Sequence, residues 1–182
     1  MENIKTLAPR IYLIGYSYSG KSTMGRLLSE KLGYDLFDTD NAIEEKYHTS
    51  IPMFFSRYGE KAFRIIERQI LFSTANMNNV VVATGGGLPC NDENIDFIIN
   101  HGTAIHLSMS VDDIMKRISK AHRGRPSMSG MNNEEKRAFI QHQLQERLPF
   151  YSQAHITLPA LFLNVNTLVD ALLKMNSTAT NL

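Results

Sequence analysis

The chain has 182 residues, of which 43% are hydrophobic, enough for one well-buried core but too little for two domains. The formal net charge of +1 argues against a nucleic-acid partner, and the single cysteine, Cys90, excludes a disulfide framework and a cysteine metal site. No stretch has the roughly 20 apolar residues of a membrane span, and the first nine residues lack the apolar run of a secretory signal. We therefore expect one soluble cytoplasmic domain spanning 1–182, with a polar tail at about 176–182.

Short apolar runs alternate with amphipathic stretches along the chain. The runs predict strands at Arg10–Gly15, Tyr34–Asp40, Asn79–Gly87, Thr103–Met109 and Leu161–Val165. The first helix carries Met24, Leu27, Leu28 and Leu32 on one face and ends at Gly33, and further helices are predicted at Asp40–Tyr47, Gly59–Asn76, Asp92–Asn100, Val111–His122, Asn133–Leu148 and Thr167–Met175. This alternation predicts an α/β fold, a three-layer parallel sheet of about five strands with helices on both faces.

The stretch GYSYSGKS, residues 15–22, follows the first predicted strand and opens the first helix. Gly15, Gly20, Lys21 and Ser22 have the spacing of a P-loop, in which backbone N–H groups and a helix N-terminus bind phosphate oxygens. In such a loop Lys21 reaches the terminal phosphates and the Ser22 hydroxyl ligates Mg²⁺. The alternative is an ordinary glycine–serine turn, but the strand–helix context favours nucleotide binding.

Asp38 and Asp40 close the second predicted strand, where ligands of such sheets bind. On an extended segment their carboxylates point to one side, so one can hold Mg²⁺ and the other can accept a proton from a hydroxyl substrate. The alternative is helix capping by Thr39 or Asp40, for a helix that begins at Asn41 or Ala42.

Three consecutive glycines, Gly85, Gly86 and Gly87, follow the valine-rich third strand. They can bring backbone N–H groups close to a ligand, and the entropic cost of ordering three glycines makes a simple turn a poor explanation. We therefore predict a backbone-lined ligand pocket at this strand end.

Three arginines have both a functional and a structural interpretation. Arg64 lies off the centre of the apolar stripe of its helix and would form a surface pair with Glu67. Arg125 lies in the glycine-flanked segment 122–130, which predicts either a mobile lid that closes over phosphates or a solvated basic loop. Arg147 is placed to compensate the dipole at the end of its helix.

Taken together, these motifs resemble the shikimate kinase family, small P-loop kinases of the nucleoside-monophosphate-kinase type. The resemblance runs from about Ile11 to Tyr151. It rests on the order and spacing of Gly20-Lys21-Ser22-Thr23, Asp38-x-Asp40, Phe63-Arg64 followed by Glu67, Thr84 to Gly87, Arg125-Pro126 and the ER-x-P-x-Y motif from Glu146 to Tyr151.

The resemblance implies a P-loop kinase fold with a lid at about 122–131, and transfer of the ATP γ-phosphate to the 3-hydroxyl of shikimate in aromatic amino-acid biosynthesis. It implies ATP and Mg²⁺ as cofactors. The implied catalytic residues are Lys21, Asp40 and Arg125. The implied ATP-binding residues are Gly15, Ser17, Ser19, Gly20, Lys21, Ser22, Thr23 and Arg125. The implied shikimate-binding residues are Asp40, Arg64, Gly85, Gly86, Gly87 and Arg147, and the implied metal-binding residues are Ser22 and Asp38.

Two departures from the family pattern leave alternatives open. The family usually has glycine where this chain has Tyr18, and the region after Tyr151, which would help to seat the adenine, matches only loosely. The alternatives are a related small-molecule kinase, such as a gluconate kinase, and a weakly active relative with a ligand-binding role. We expect a monomer.

Tyr18 itself allows two backbone states. A positive φ would strain a tyrosine by about 1–2 kcal/mol relative to glycine, whereas a negative φ would require the loop to rearrange when the nucleotide binds. In either state we expect weaker nucleotide binding than with glycine, and a ring that points away from the phosphates.

Overall fold

The computed structural model describes residues 7–120, 128 and 130–179. Within these residues, strands and helices alternate as the sequence predicts. The strands are β1 (Arg10–Ile14), β2 (Asp35–Asp38), β3 (Val80–Ala83), β4 (Thr103–Ser108) and β5 (Ile156–Pro159). The helices are α1 (Lys21–Leu32), α2 (Thr39–Tyr47), α3 (Ile51–Ser73), α4 (Asp92–His101), α5 (Val111–Lys120), α6 (Asn133–Tyr151) and α7 (Val165–Ala179).

The five strands form one parallel sheet in the order β2-β3-β1-β4-β5. The first strand is central, and the chain leaves it first toward β2 and later toward β4. Open parallel sheets bind ligands beyond the C-terminal ends of their strands near such a reversal. The ends of β1, β2 and β3 therefore mark the expected ligand site, and the predicted three-layer fold is confirmed.

The central strands are buried on both faces, which explains their continuous apolar runs. Along β1, Tyr12 and Ile14 face one core cluster, and Ile11 and Leu13 face the other. The first cluster is closed by helices α3, α4, α5 and α6, and the second by α1 and α7. The sheet is thus a rigid support from which the loops at its C-terminal edge project.

A third, smaller cluster joins α2 to α3 through Ile43, Phe54, Phe63 and Ile70. Helix α3 begins at Ile51, eight residues before the predicted start at Gly59, and Gly59 with φ 76° and ψ 173° is the kink between its two halves. The first half of α3 was not predicted, because Gly59 interrupts the helical pattern of the sequence. The kinked helix carries Arg64 on its second half.

The fifth strand is a correction to the sequence analysis. The apolar run Leu161–Val165 is not a strand, because Phe162 is 93% exposed with a φ of 61°, and Val165 already begins α7. The true edge strand, β5, alternates half-buried and exposed residues and pairs with β4 from Ile105 onward. An edge strand buries less apolar surface than a central one, so its sequence signal was weaker than that of the neighbouring loop.

The remaining helix boundaries differ by a few residues from the prediction. Helix α6 begins with a capping box, in which Asn132 and Glu135 bond each other's backbone, and it continues through Pro149 to Tyr151. Helix α7 starts two residues earlier than predicted. In the described part of the chain no helix is both long and apolar enough to span a bilayer.

Candidate active site

The loop between β1 and α1 has the geometry of a phosphate cradle. Gly15 and Gly20 have φ values of 140° and 91°, which favour glycine, and a Cβ on Gly15 would lie 2.6 Å from the carbonyl oxygen of Leu107. The loop is closed by a hydrogen bond of 3.1 Å from the Ser19 N–H to the Tyr16 carbonyl. The glycine spacing in the sequence therefore reflects real backbone requirements.

Lys21 lies at the centre of this loop and is only 7% exposed. Its ammonium donates hydrogen bonds to the carbonyl oxygens of Gly15 and Tyr16, at 2.9 Å each. A buried cation is costly unless it is paired or hydrogen-bonded, and here the backbone of the loop supplies the acceptors. The positive charge is thus held in place where terminal phosphates would bind.

His106, on β4, lies behind the loop and adds no charge to it. Burial, together with the neighbouring charge of Lys21, lowers the pKa of His106 from 6.5 to about 4. Its ring stacks on Tyr151, with the ring centroids 5.0 Å apart. The imidazole therefore stays neutral near pH 7 and adds no positive charge beside Lys21.

Tyr18 adopts the left-handed backbone, with φ 67°. The positive-φ alternative of the sequence analysis is therefore confirmed. Arg117 on α5 holds this conformation by donating to the Tyr18 carbonyl at 2.7 Å and to the Ala160 carbonyl at 3.2 Å. The Tyr18 side chain is half-buried and packs against the edge of the first core cluster, a contribution that the sequence did not predict.

Asp38 links the end of β2 to the phosphate loop and to α2. It accepts a hydrogen bond of 2.6 Å from the Ser22 hydroxyl, and its other oxygen accepts from the N–H groups of Asp40 and Asn41. Asp38 is therefore the N-cap of α2, which begins at Thr39, and the predicted capping by Thr39 or Asp40 is wrong. Asp38 ends β2 and Asp40 lies in the first turn of α2, so the two carboxylates do not stand on one extended strand as predicted.

The pair formed by Ser22 and Asp38 fits the magnesium site that the resemblance implies. Mg²⁺ binds through one or two protein oxygens together with substrate phosphates, and a hydroxyl and a carboxylate at the mouth of a phosphate loop are such ligands. Among the residues that the structure describes, no group of three or more His, Cys, Asp or Glu side chains could hold a metal by itself. The Ser22 hydroxyl and the Asp38 carboxylate can supply one or two oxygen ligands of the kind that Mg²⁺ takes from proteins.

The phosphate loop and the acidic segment share one cavity of about 200 Å³. Its lining consists of Ser17, Tyr18, Gly20, Lys21, Ser22, Thr23, Asp38, Asp40, Thr84 and Gly86. The cavity therefore brings Asp40 and Gly86 of the predicted acceptor site beside the phosphate loop, whereas Arg64, Gly85, Gly87 and Arg147 do not line it.

The three glycines after β3 each lie against a different polar group. A Cβ on Gly85 would lie 2.8 Å from carboxylate oxygens of both Asp40 and Glu67, and one on Gly86 would lie 2.7 Å from the Ser17 hydroxyl. A Cβ on Gly87 would lie 3.0 Å from the Arg64 guanidinium. Side chains here would displace those groups, so the glycines allow the phosphate loop, α2 and α3 to converge on one strand end.

Arg64 and Glu67 form an ion pair of 2.6 Å, as the i, i+3 spacing predicts, but it is not a surface pair. Glu67 is only 2% exposed, whereas Arg64 is partly exposed and also bonds Glu60 at 2.9 Å. Burial raises the pKa of Glu67, and the charge of Arg64 opposes that rise. The sequence indicates Glu67 only as an ion-pair partner of Arg64. The burial of Glu67 has no sequence signal, because it depends on contacts between distant segments.

Arg147 reaches the same region from α6. Its guanidinium stacks on the ring of Tyr16, 5.2 Å from the centroid, and its charge acts on buried Glu67. Helix α6 continues to Tyr151, so Arg147 is not in its last turn and the helix-dipole interpretation is wrong. Tyr16 also donates a hydrogen bond of 2.8 Å to Gln143, so a residue of the phosphate loop supports the helix that carries Arg147.

One predicted site residue lies outside the described part of the chain, and two residues that contact the site were not predicted from the sequence. Arg125 and most of the predicted lid at 122–131 lie outside the described residues. Tyr16 and Arg117 had no signal in the sequence, because an aromatic loop residue and a helical arginine are common in any fold. Only the contacts between segments identify them.

Comparisons with known proteins agree with this geometry. A family model described as shikimate kinase matches residues 18–174. A shikimate kinase from Parabacteroides distasonis is 40% identical over 151 residues, which cover 83% of this chain and 87% of that protein.

Solved structures show the same relationship. The crystal structure of a shikimate kinase from Bacteroides thetaiotaomicron has a TM-score of 0.81 and 34% identity, covering 95% of this chain and 98% of that one. A shikimate kinase from Acinetobacter baumannii, solved in complex with shikimate, has a TM-score of 0.76 and 30% identity, covering 96% and 94%.

Proposed function

This chain belongs to the shikimate kinase family, and we propose that Asp40, Arg64 and Arg147 bind shikimate beside the phosphate loop for phosphorylation by ATP. The observation that carries this assignment is the convergence at the triple glycine. Gly86 lies against Ser17 of the phosphate loop, and its neighbour Gly85 lies against Asp40 and Glu67. A phosphate donor and a hydroxyl acceptor can therefore meet across one strand end.

The acceptor side matches a small polyhydroxy acid. Arg64 offers a planar fork of donors, the geometry that recognises a carboxylate, and Arg147 adds a second guanidinium from another helix. Arg64 is already paired with Glu60 and Glu67. Those ion pairs orient the guanidinium before substrate arrives, while its partial exposure leaves room for a second anion.

Asp40 faces the other end of the acceptor. It lines the cavity that Lys21 also lines, so its carboxylate can accept the proton of a hydroxyl group that attacks the terminal phosphate. The proposed acceptor is the 3-hydroxyl of shikimate. Phosphoryl transfer needs mainly positioning and charge stabilisation, which the buried ammonium of Lys21 and the backbone of the loop supply.

The nucleotide side is proposed to bind ATP through Gly15, Ser17, Ser19, Gly20, Lys21, Ser22 and Thr23. Ser22 and Asp38 would hold Mg²⁺, which supplies positive charge to the phosphates when it is bound. Arg125 would stabilise charge on the transferred group from the lid. Its assignment rests on the family resemblance, and Arg125→Ala is expected to lower kcat more than it weakens shikimate binding.

A coupled assay of ADP release, run with shikimate and gluconate in parallel, tests the function. We expect turnover with shikimate and at most background rates with gluconate. Preference for gluconate would support the related-kinase alternative, and binding of shikimate without turnover would support the weakly active one. Light scattering on the purified protein would test the predicted monomer, and cell fractionation the predicted cytoplasmic location.

A further inference from the structure

The hydroxyl of Ser17 stands apart from the other hydroxyls of the phosphate loop. Ser17 is 4% exposed, and its Oγ has no hydrogen-bond partner among the residues that the structure describes. By contrast, Ser19 Oγ accepts from Lys21 at 3.4 Å, and Ser22 Oγ donates to Asp38. Buried polar atoms are nearly always bonded, and an unpaired one lowers stability.

The position of this hydroxyl gives it a specific neighbour. A Cβ on Gly86 would lie 2.7 Å from Ser17 Oγ, and a Cβ on the preceding Gly85 would lie 2.8 Å from Asp40 Oδ1. Ser17, Lys21 and Asp40 line the same cavity. Ser17 Oγ is therefore on the wall that the phosphate loop shares with the acceptor pocket.

Packing alone does not explain a serine here. The close approach of Gly86 requires a small side chain at position 17, but alanine would meet that requirement without an unpaired buried oxygen. A hydroxyl in a ligand cavity is favoured over a methyl group when a ligand completes its hydrogen bonding. The ligand that reaches this wall is the group transferred between the two sides.

We propose that Ser17 is a catalytic residue whose hydroxyl donates a hydrogen bond to the phosphoryl group during transfer. The inference rests on the proposed function. The bond from the γ-phosphorus to the ADP oxygen breaks, a bond to the acceptor oxygen forms, and the acceptor proton passes to Asp40. Ser17 keeps its own proton throughout and stabilises negative charge on a phosphoryl oxygen.

The affinities of Ser17→Ala for four ligands distinguish a hydrogen bond to the transferred phosphoryl group from one to the acceptor or to the rest of the nucleotide. Calorimetric titrations would use shikimate, shikimate 3-phosphate, ADP and a non-hydrolysable ATP analogue with Mg²⁺. Only shikimate 3-phosphate and the ATP analogue contain the phosphoryl group in question. We expect both to bind more weakly by about 10- to 100-fold, the range for a hydrogen bond to a charged group. Affinities for shikimate and ADP should stay within about twofold.

Turnover and stability add two independent readouts. The kcat of Ser17→Ala should fall by a similar factor of about 10 to 100, while its Tm should stay equal to that of the wild type or rise, since an unpaired buried oxygen is removed. A matched control is Ser29→Ala in α1, where Ser29 is 5% exposed and donates to the Arg26 carbonyl at 2.9 Å. This variant should show the opposite pattern, with a lower Tm and unchanged ligand affinities. Ser17→Gly should reproduce the ligand pattern of Ser17→Ala.

Three results would overturn the proposal. Equal losses for shikimate and its 3-phosphate would place Ser17 on the acceptor, and a loss for ADP would place it on the nucleotide body. Unchanged affinities together with unchanged kcat would leave the hydroxyl without a role. Wild-type protein that binds neither shikimate nor its 3-phosphate would instead overturn the proposed function, and the two failures are therefore distinguishable.

Discussion

The phosphate loop and the acceptor pocket are adjacent but built in different ways. The loop is one continuous stretch, residues 15–22, in which Lys21 donates to the carbonyl oxygens of Gly15 and Tyr16 and the Ser19 N–H donates to the Tyr16 carbonyl. The proposed acceptor pocket takes Asp40 from α2, Arg64 from α3 and Arg147 from α6. The loop thus depends on local backbone geometry, whereas the pocket depends on packing that brings three helices to one strand end.

The two regions are expected to respond differently to substitution. Substitutions in the loop change its backbone conformation or its one buried cation, Lys21. Substitutions in the pocket act through ion pairs with partners on other elements, and one changed charge alters the environment of several groups. Tyr16 connects the two regions, because its backbone carbonyl binds Lys21 and its ring supports Arg147.

The largest expected effect is on the acceptor side. Asp40→Asn removes the proposed proton acceptor while keeping size and shape, so kcat should fall by roughly 10²- to 10⁴-fold. Steady-state kinetics with shikimate would measure it. Asp38→Asn is the matched control, since asparagine also caps helices well, and it should raise the Mg²⁺ requirement instead. Exchanged phenotypes would reverse the two roles, and full activity in both variants would disprove the acidic site.

The stability of the protein should decrease on acidification because His106, behind the phosphate loop, is buried in its neutral form. The pKa of His106 is about 4 in the folded protein and 6.5 in the unfolded chain. Between these pH values the unfolded state binds more protons than the folded state. The free energy of unfolding therefore decreases as the pH falls from about 6.5 to about 4. The full difference corresponds to about 3 kcal/mol. Urea unfolding at pH 7, 6 and 5 would measure the slope. His106→Gln should flatten it, whereas His142→Gln, which alters an exposed histidine, should not. Equal slopes in His106→Gln and the wild type would contradict this assignment.

Shikimate binding should depend on the planar guanidinium group of Arg64. Arg64→Lys keeps the charge but loses the planar pair of donors, so the KM for shikimate should rise by about 10- to 100-fold. The KM for ATP should stay nearly unchanged. Arg68→Lys is the matched control on the same helix, because Arg68 pairs with Glu93 at the surface. A wild-type KM in Arg64→Lys would show that the fork does not bind the substrate carboxylate.

The smallest effect is expected in the loop, at Tyr18. Tyr18 has a φ of 67°, a backbone state that strains a tyrosine by about 1–2 kcal/mol relative to glycine. We expect this strain to weaken nucleotide binding, so Tyr18→Gly should lower the Kd of ATP by up to about tenfold and leave the KM for shikimate nearly unchanged. Calorimetry would measure it.

The Tm of the same variant would complete the test. Relief of strain raises stability, whereas loss of the packed ring and the greater freedom of an unfolded glycine lower it, so the net change should be small. Tyr18→Asn is a useful control, because asparagine tolerates positive φ better than most residues. Weaker ATP binding in Tyr18→Gly would contradict the prediction and would mean that the tyrosine contributes a contact of its own.

The sequence predicted the elements whose signals are local. The three inner strands, β1, β3 and β4, and most helices were recognised because continuous apolar runs and helical periodicity report burial directly. The phosphate loop was recognised because its spacing is a backbone requirement, seen in the positive φ of Gly15 and Gly20. The fifth strand was misplaced because an edge strand is half-exposed, and the first half of α3 was missed because Gly59 breaks the pattern.

The acceptor pocket was predicted from family resemblance, not from periodicity, and the roles of its residues stay predictions. From periodicity alone Arg64 resembled a surface residue and Arg147 a helix-end charge. Tertiary structure shows that Glu67 is buried beside Arg64 and that Arg147 stacks on Tyr16 of the phosphate loop. The contact of Arg147 with Tyr16 joins residues about 130 positions apart, and the burial of Glu67 depends on packing against other segments, so neither leaves a local periodicity.

The sequence by itself determined which backbone could bind phosphate, because glycine spacing and a lysine at a helix start act over a few residues. It also determined the parallel sheet, through strands that are apolar on both faces. Only the tertiary structure decided that Asp38 caps α2 while bonding Ser22, that Tyr18 is held in positive φ by Arg117, and that Ser17 Oγ is buried beside Gly86. Those features depend on which distant segments meet at the strand ends, and burial and hydrogen bonding are properties of the packed chain.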